Sequence, residues 1–311
     1  MKLLKRVVLV LAACAAAFFT FDFFFPAQFA AAALGAERGA AGLQRKAIDI
    51  PGFSVVYLEG GQGKPLLLVH GFNGDKDNWT RVSKYLTPRY RVIAVDLPCW
   101  GESPRPTAEE CDIPHQLVYL NEIADALKLE HFDLGGNSMG GWIAAAYAAA
   151  HPERVDTLWL LAPAGVAGAE LSDLGGIVRS GGRIPLIARN EEEMQELLSF
   201  VCVHPPYVPH AVLQVMAQRQ ADHYELEQQI FAGLVKEPPL EPQLQGLQTP
   251  AFIVWGDHDR ALHYSGAAIL HRLMPNSQVL IMPDIGHVPM LETPSRSAAD
   301  YIAFRDSLVR R

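Results

Sequence analysis

The feature that most constrains this chain is the pentapeptide Gly136-Asn137-Ser138-Met139-Gly140. It sits where His131-Phe132-Asp133-Leu134-Gly135-Gly136-Asn137 gives way to Gly141-Trp142-Ile143 and an alanine-rich run ending at Ala150. The first stretch suits a short strand, and the second is rich in good helix formers. His151-Pro152 ends the helix, because proline disfavours helix in the residue before it. A strand that turns at once into a helix around a serine needs tiny residues two places either side, and Gly136 and Gly140 fill those places. Such a turn presents a hydroxyl that is a poor nucleophile unless activated. Ser138 is therefore a candidate nucleophile, set against the plain alternative of an ordinary serine in a glycine-rich turn.

The rest of the chain supplies the context this turn requires. Ser54–Leu58, Pro65–His70, Arg91–Asp96, Thr157–Ala162, Pro250–Trp255 and Gln278–Met282 read as strands. Helical patterns separate them: Leu117, Leu120, Ile123, Ala124 and Leu127 at spacings of three and four, then Gly266–Leu273 and Arg296–Leu308. Continuous apolar strands alternating with helices predict an α/β fold, a mostly parallel sheet with helices on both faces. Residues 166–248 interrupt it with prolines at 185, 205, 206, 209, 238, 239 and 242 and helix-like stretches between them. An insertion of this length between two strands predicts a helical cap over the carboxyl edge of the sheet, where ligands collect in such folds. The expected organisation is an N-terminal membrane or signal segment over 1–25 and a linker over 26–46. A core in two parts follows, 47–165 and 249–311, with the cap over 166–248 between them.

A serine nucleophile needs a base, and the base an orienting acid, in this fold in the order Ser, acid, His. His287 follows a predicted strand in the loop Pro283-Asp284-Ile285-Gly286-His287-Val288-Pro289, which can project a side chain over the sheet edge. For the acid, Asp257 and Asp259 compete in Trp255-Gly256-Asp257-His258-Asp259-Arg260. Asp257 suits a turn-forming role, and Asp259, two places further into the loop, is favoured to reach the imidazole. His258 reads as a passive loop residue. Asp284 lies too close to His287 in sequence to be the favoured acid. Two backbone N–H groups must hold the oxyanion. Met139 at a helix N-terminus and Phe72 in His70-Gly71-Phe72-Asn73-Gly74 are the candidates, with His70 bonding within its loop.

Charge and composition narrow the class further. A formal net charge of -8 argues against nucleic acid, whose binding needs clustered positive charge. No cysteine or histidine spacing suggests a metal, and the chemistry calls for no cofactor. Lys2, Lys5 and Arg6 precede an apolar run from Val7 to Phe25. At about 1.5 Å per residue it is about 28 Å long, near the thickness of a bilayer core. An uncleaved anchor is favoured over a cleaved signal peptide and over a lipoprotein signal at Leu11-Ala12-Ala13-Cys14. The basic flank places the body outside the cytoplasm, at the inner membrane or in the periplasm for a bacterial source. An oxidising compartment there would permit a Cys99–Cys111 bridge.

Taken together, His70-Gly71-Phe72, Asp96-Leu97-Pro98 with Trp100-Gly101-Glu102-Ser103, the Ser138 turn, Trp255 to Asp259 and Gly286-His287 resemble the α/β-hydrolase fold family. The resemblance covers nearly all of residues 48–308. His70 to Trp79, Leu161-Ala162-Pro163-Ala164-Gly165-Val166, and Arg183 to Ile187 followed by Glu191 to Met194 resemble membrane-associated monoacylglycerol lipases and related bacterial lipases of the α/β-hydrolase-domain-6 type. That implies a carboxylic ester hydrolase acting on lipid-like esters through Ser138, His287 and Asp259. Leu197, Leu198, Phe200, Val201, Val212 and Val215 are candidates for an acyl pocket, or for ordinary packing. Cys99 stands where a glycine is usual. Gly135 to Gly141 also resembles the turn of carbon–carbon bond hydrolases of aromatic degradation, which keeps that activity open as an alternative. A binding protein that lost turnover is a third reading.

Overall fold

The computed structural model describes residues 5–7, 9 and 20–309. In chain order its elements begin with helix α1 (Pro26–Ala40), strands β1 (Leu43–Ile50), β2 (Phe53–Gly60) and β3 (Lys64–Val69), helix α2 (Thr80–Leu86) and strand β4 (Tyr90–Val95). Helix α3 (Ile113–Ala126), β5 (Phe132–Asn137), α4 (Met139–Ala150) and β6 (Val155–Leu161) follow. Four helices then intervene: α5 (Asp173–Ser180), α6 (Glu191–Val201), α7 (His210–Asp222) and α8 (Tyr224–Leu234). The chain closes with β7 (Ala251–Gly256), α9 (Gly266–Leu273), β8 (Ser277–Met282), α10 (Pro289–Glu292) and α11 (Pro294–Val309).

The eight strands form one sheet in the order β1-β2-β4-β3-β5-β6-β7-β8. Strand β2 runs antiparallel to both neighbours, and β4 through β8 are parallel. Side chains alternate across the pleat, which is why the strands are apolar throughout. Leu67, Val69, Ile93, Val95, Leu158 and Leu160 join one buried cluster with α3 and α4. Leu66, Leu68, Val92, Ala94, Trp159 and Leu161 join another with α2 and α11. The helix after β3 therefore covers one face and the helix after β5 the other. The boundary between these two adjacent strands is a topological switch point, where a crevice opens at the carboxyl ends. Ser138 and the Phe72 loop both stand at that edge.

Residues 26–46 are not the linker their composition suggests. Alanine has the highest helix propensity of any residue, and residues 26–40 form α1. Residues 43–46 pair with β2. Helix α1 packs against α7, the Asp22 carboxylate accepts the Ala211 N–H at 2.9 Å, and Arg38 binds the Asp77 carboxylate through two hydrogen bonds of 2.7 and 2.6 Å. The expected anchor over 1–25 lies largely outside the described residues. Among the described residues no helix is long and apolar enough to cross a membrane.

Candidate active site

Ser138 sits at φ 55°, ψ -121° between β5 and α4. A side-chain-bearing residue there stores about 1–3 kcal/mol of strain and persists only if its surroundings hold it. Its N–H donates to Leu161 O at 3.0 Å, and its carbonyl accepts from Trp142 N at 3.0 Å and Ala164 N at 2.9 Å. The flanking glycines are required by close approach. A methyl on Gly136 would come within 2.1 Å of Gly140 O, and one on Gly140 within 2.3 Å of Val69 O. The loop after β3 lies against the serine, since a methyl built on Gly71 would be 3.1 Å from Ser138 Cβ.

The loops after β7 and β8 bring Asp259 and His287 together, with Nδ1 of His287 2.8 Å from Asp259 Oδ2. Both residues are buried. Asp259 Oδ2 also accepts from Trp255 Nε1 at 3.0 Å, while Oδ1 accepts the Ala261 and Leu262 amides at 2.8 and 2.9 Å. An ionised carboxylate only accepts, so Nδ1 carries the ring proton and Nε2 is left with a free lone pair. Asp257 is spent elsewhere. Its carboxylate meets His258 Nδ1 at 2.6 Å and the Asp284 amide at 2.7 Å. Asp284 in turn meets His204 Nε2 at 2.9 Å. These form a separate, exposed group.

His287 is tied to the serine turn through the backbone. Asn137, one residue before Ser138, donates through Nδ2 to His287 O and to Leu161 O, both at 3.0 Å. On its other side the His287 N–H donates to Val201 O at 2.7 Å. Sequence reading passed over Asn137, because its partners lie 24 and 150 residues away.

The loop carrying Phe72 is stiffened by buried polar pairs. His70 is fully buried, donates through Nδ1 to Gly71 O at 2.8 Å and accepts the Leu97 amide at Nε2 at 3.3 Å. Burial lowers its pKa and favours the neutral ring. Lys76 reaches Asp96 and Glu102, each at 2.8 Å, and Asp96 also accepts the Lys76 and Glu102 amides. Cys99 is bonded to Cys111 in a disulfide. It stands at φ 91°, a conformation that accounts for glycine being usual there. Met139, the other oxyanion candidate, is the first residue of α4, where helix amides lack partners within the helix. Of the acyl-pocket candidates, Phe200, Val201 and Val212 are buried. Leu197 and Leu198 pack beside the cluster of Met194, Leu213 and Ala217.

A strained serine on a strand-to-helix turn and a buried His–Asp pair on later loops of a parallel sheet form the candidate site. Comparison with known proteins gives the class of the chain. A family described as alpha/beta hydrolase fold matches residues 64–196. Lipase 1 of Psychrobacter immobilis is 36% identical over 280 residues, covering 88% of this chain and 87% of that protein. Human monoacylglycerol lipase ABHD6 is 31% identical over 260 residues, 80% of this chain and 77% of its own. The crystal structure of a membrane phospholipase A, a bacterial virulence factor, superposes with a TM-score of 0.89 at 38% identity, covering 100% of both chains. The chain belongs to the α/β-hydrolase fold family, and within it is a carboxylic ester hydrolase.

Proposed function

We propose that this protein is a membrane-tethered lipase of the monoacylglycerol type, with Ser138 as nucleophile, His287 as general base and Asp259 as the orienting acid. Ser138 Oγ attacks the ester carbonyl while His287 Nε2 takes its proton. The Phe72 and Met139 amides hold the tetrahedral oxyanion. His287 then protonates the leaving alcohol, and the acyl group remains on Ser138. Water, deprotonated by the same nitrogen, attacks the acyl-enzyme and frees the fatty acid. The observation that carries this reading is the buried bond between His287 Nδ1 and Asp259 Oδ2, in a loop fastened to the residue beside Ser138.

Helices α5 to α8 act as a cap over the switch-point crevice, with residues 166–248 as its span. The lipid assignment rests on the named relatives and on a greasy N-terminus, where Phe23, Phe24 and Phe25 are exposed. The basic residues ahead of the apolar run support a body held outside the cytoplasm. The deciding experiment is a hydrolysis profile of the purified full-length chain over monoacylglycerols of several chain lengths, triacylglycerols and phospholipids in mixed micelles. Preference for monoacylglycerols supports the reading. Turnover of a ring-fission dienoate with no ester hydrolysis contradicts it.

A further inference from the structure

The chain has five tryptophans. Three of them, Trp79, Trp142 and Trp159, bury the indole N–H with no hydrogen-bond partner among the described residues. The other two give theirs to carboxylates. Trp255 bonds to Asp259, and Trp100 donates to Glu227 Oε2 at 3.0 Å. Glu227 lies on α8 and is 1% exposed. Burying a carboxyl there costs more than burying a leucine, so packing alone does not account for it.

What Trp100 touches indicates the use. Its ring meets His70 at 5.9 Å and Phe72 at 6.2 Å, both edge to face. Phe231, one helical turn beyond Glu227 on the same face of α8, meets Phe72 edge to face at 5.3 Å. Glu227 and Phe231 therefore bear on Phe72, one through Trp100 and the other directly. The loop is gripped from the same side twice more: Asn73 donates to Leu186 O at 3.0 Å, and Asp75 pairs with Arg219 at 2.7 Å. Helix α8 also packs on the short turn Ala108–Cys111, whose Cys111 is bonded to Cys99 beside Trp100.

We infer that the cap sets the position of the oxyanion amide, and that Glu227 is the positioning residue through which α8 holds Trp100 against Phe72. This rests on the reading of Phe72 as an oxyanion donor. A donor displaced by a fraction of an ångström still lets substrate bind but stabilises the transition state less. The effect therefore falls on kcat and not on KM.

The test is steady-state hydrolysis of p-nitrophenyl butyrate by the full chain carrying Glu227→Ala, Trp100→Phe, both together, or Glu227→Gln. Thermal melts identify the folded variants. Each of the first two lowers kcat about tenfold or more with KM within about threefold, one lost hydrogen bond's worth. The double variant is no worse than the more severe single, because both remove one bond. Glu227→Gln keeps an acceptor and restores most of kcat. Trp100→Phe keeps the ring packing, so it decides the matter if Glu227→Ala does not fold. An unchanged kcat in Trp100→Phe, a loss confined to KM, or fully additive losses overturns the inference. Hydrolysis that persists in Ser138→Ala instead overturns the active-site reading beneath it.

Discussion

Replacing Asp259 by asparagine separates its chemical from its structural duty. All four partners of the carboxylate are donors: the Ala261 and Leu262 amides on Oδ1, and Trp255 Nε1 and His287 Nδ1 on Oδ2. An asparagine has one accepting oxygen. Turned to the two amides, it keeps the loop and aims its NH2 at Trp255 and His287. Trp255 is not stranded, since its N–H also reaches Leu262 O at 2.9 Å. His287 can then meet the NH2 only by accepting at Nδ1, which moves its proton to Nε2 and removes the base. The same tautomer error in a serine triad costs about 10⁴-fold in kcat, roughly 5.4 kcal/mol of transition-state stabilisation. The structural cost of the mismatched bonds is about 1–3 kcal/mol. Asp257→Asn, on the exposed group, should leave kcat within about threefold, since substitutions at such sites usually act weakly. Ester hydrolysis and urea unfolding of both variants check this. A tenth or more of wild-type kcat in folded Asp259→Asn, or a larger loss in Asp257→Asn, would refute the assignment.

Other consequences follow from the same contacts. Burial pushes the Glu227 carboxyl up to about 7, against the Trp100 N–H and Arg105. Its folded pKa lies above its unfolded one, so the folded state is favoured below about pH 4.5 and loses roughly 3 kcal/mol as pH rises through 7. Glu227→Gln should remove that slope. Parallel unfolding curves for the two proteins between pH 4.5 and 8 would contradict it. Asn137→Ala deletes the Nδ2 bond that joins the serine turn to His287 O, together with the one to Leu161 O, and is expected to cost about 1–3 kcal/mol of stability and lower kcat. Unchanged kcat would show that the His loop needs no such tie. Removing residues 1–19 should leave a soluble, active body, whereas removing 1–35 strips most of α1 from α7 and should lower the melting temperature. Equal melting temperatures would refute the packing role of α1.

The serine turn, seven of the eight strands and the pairing of Asp259 with His287 were legible because each depends on local signals. Glycines flank a serine, apolar runs end in loops, and proline stops a helix. Asp259 over Asp257 was also legible, since two residues of extra loop decide which carboxylate reaches inward. Trp255, Asn137 and Glu227 were not. Asn137 and Glu227 act through partners 150 and 127 residues away. Trp255 bonds to Asp259 only four residues on but sits in an apolar strand that reads as plain core. A glutamate in a helical segment looks the same whether it faces water or an indole. The stretch over 26–46 was misjudged for the opposite reason. Its alanines favour helix strongly, but glycines at 35, 39 and 42 read as breaks.

The central claim is that Ser138 is the nucleophile. Treating the full chain with a fluorophosphonate and digesting it should place one phosphonyl adduct on the peptide carrying Ser138, with ester hydrolysis lost in step. Ser138→Ala should neither label nor hydrolyse while melting as the wild type does. An adduct on another residue, or hydrolysis surviving in the folded Ser138→Ala protein, would contradict the account.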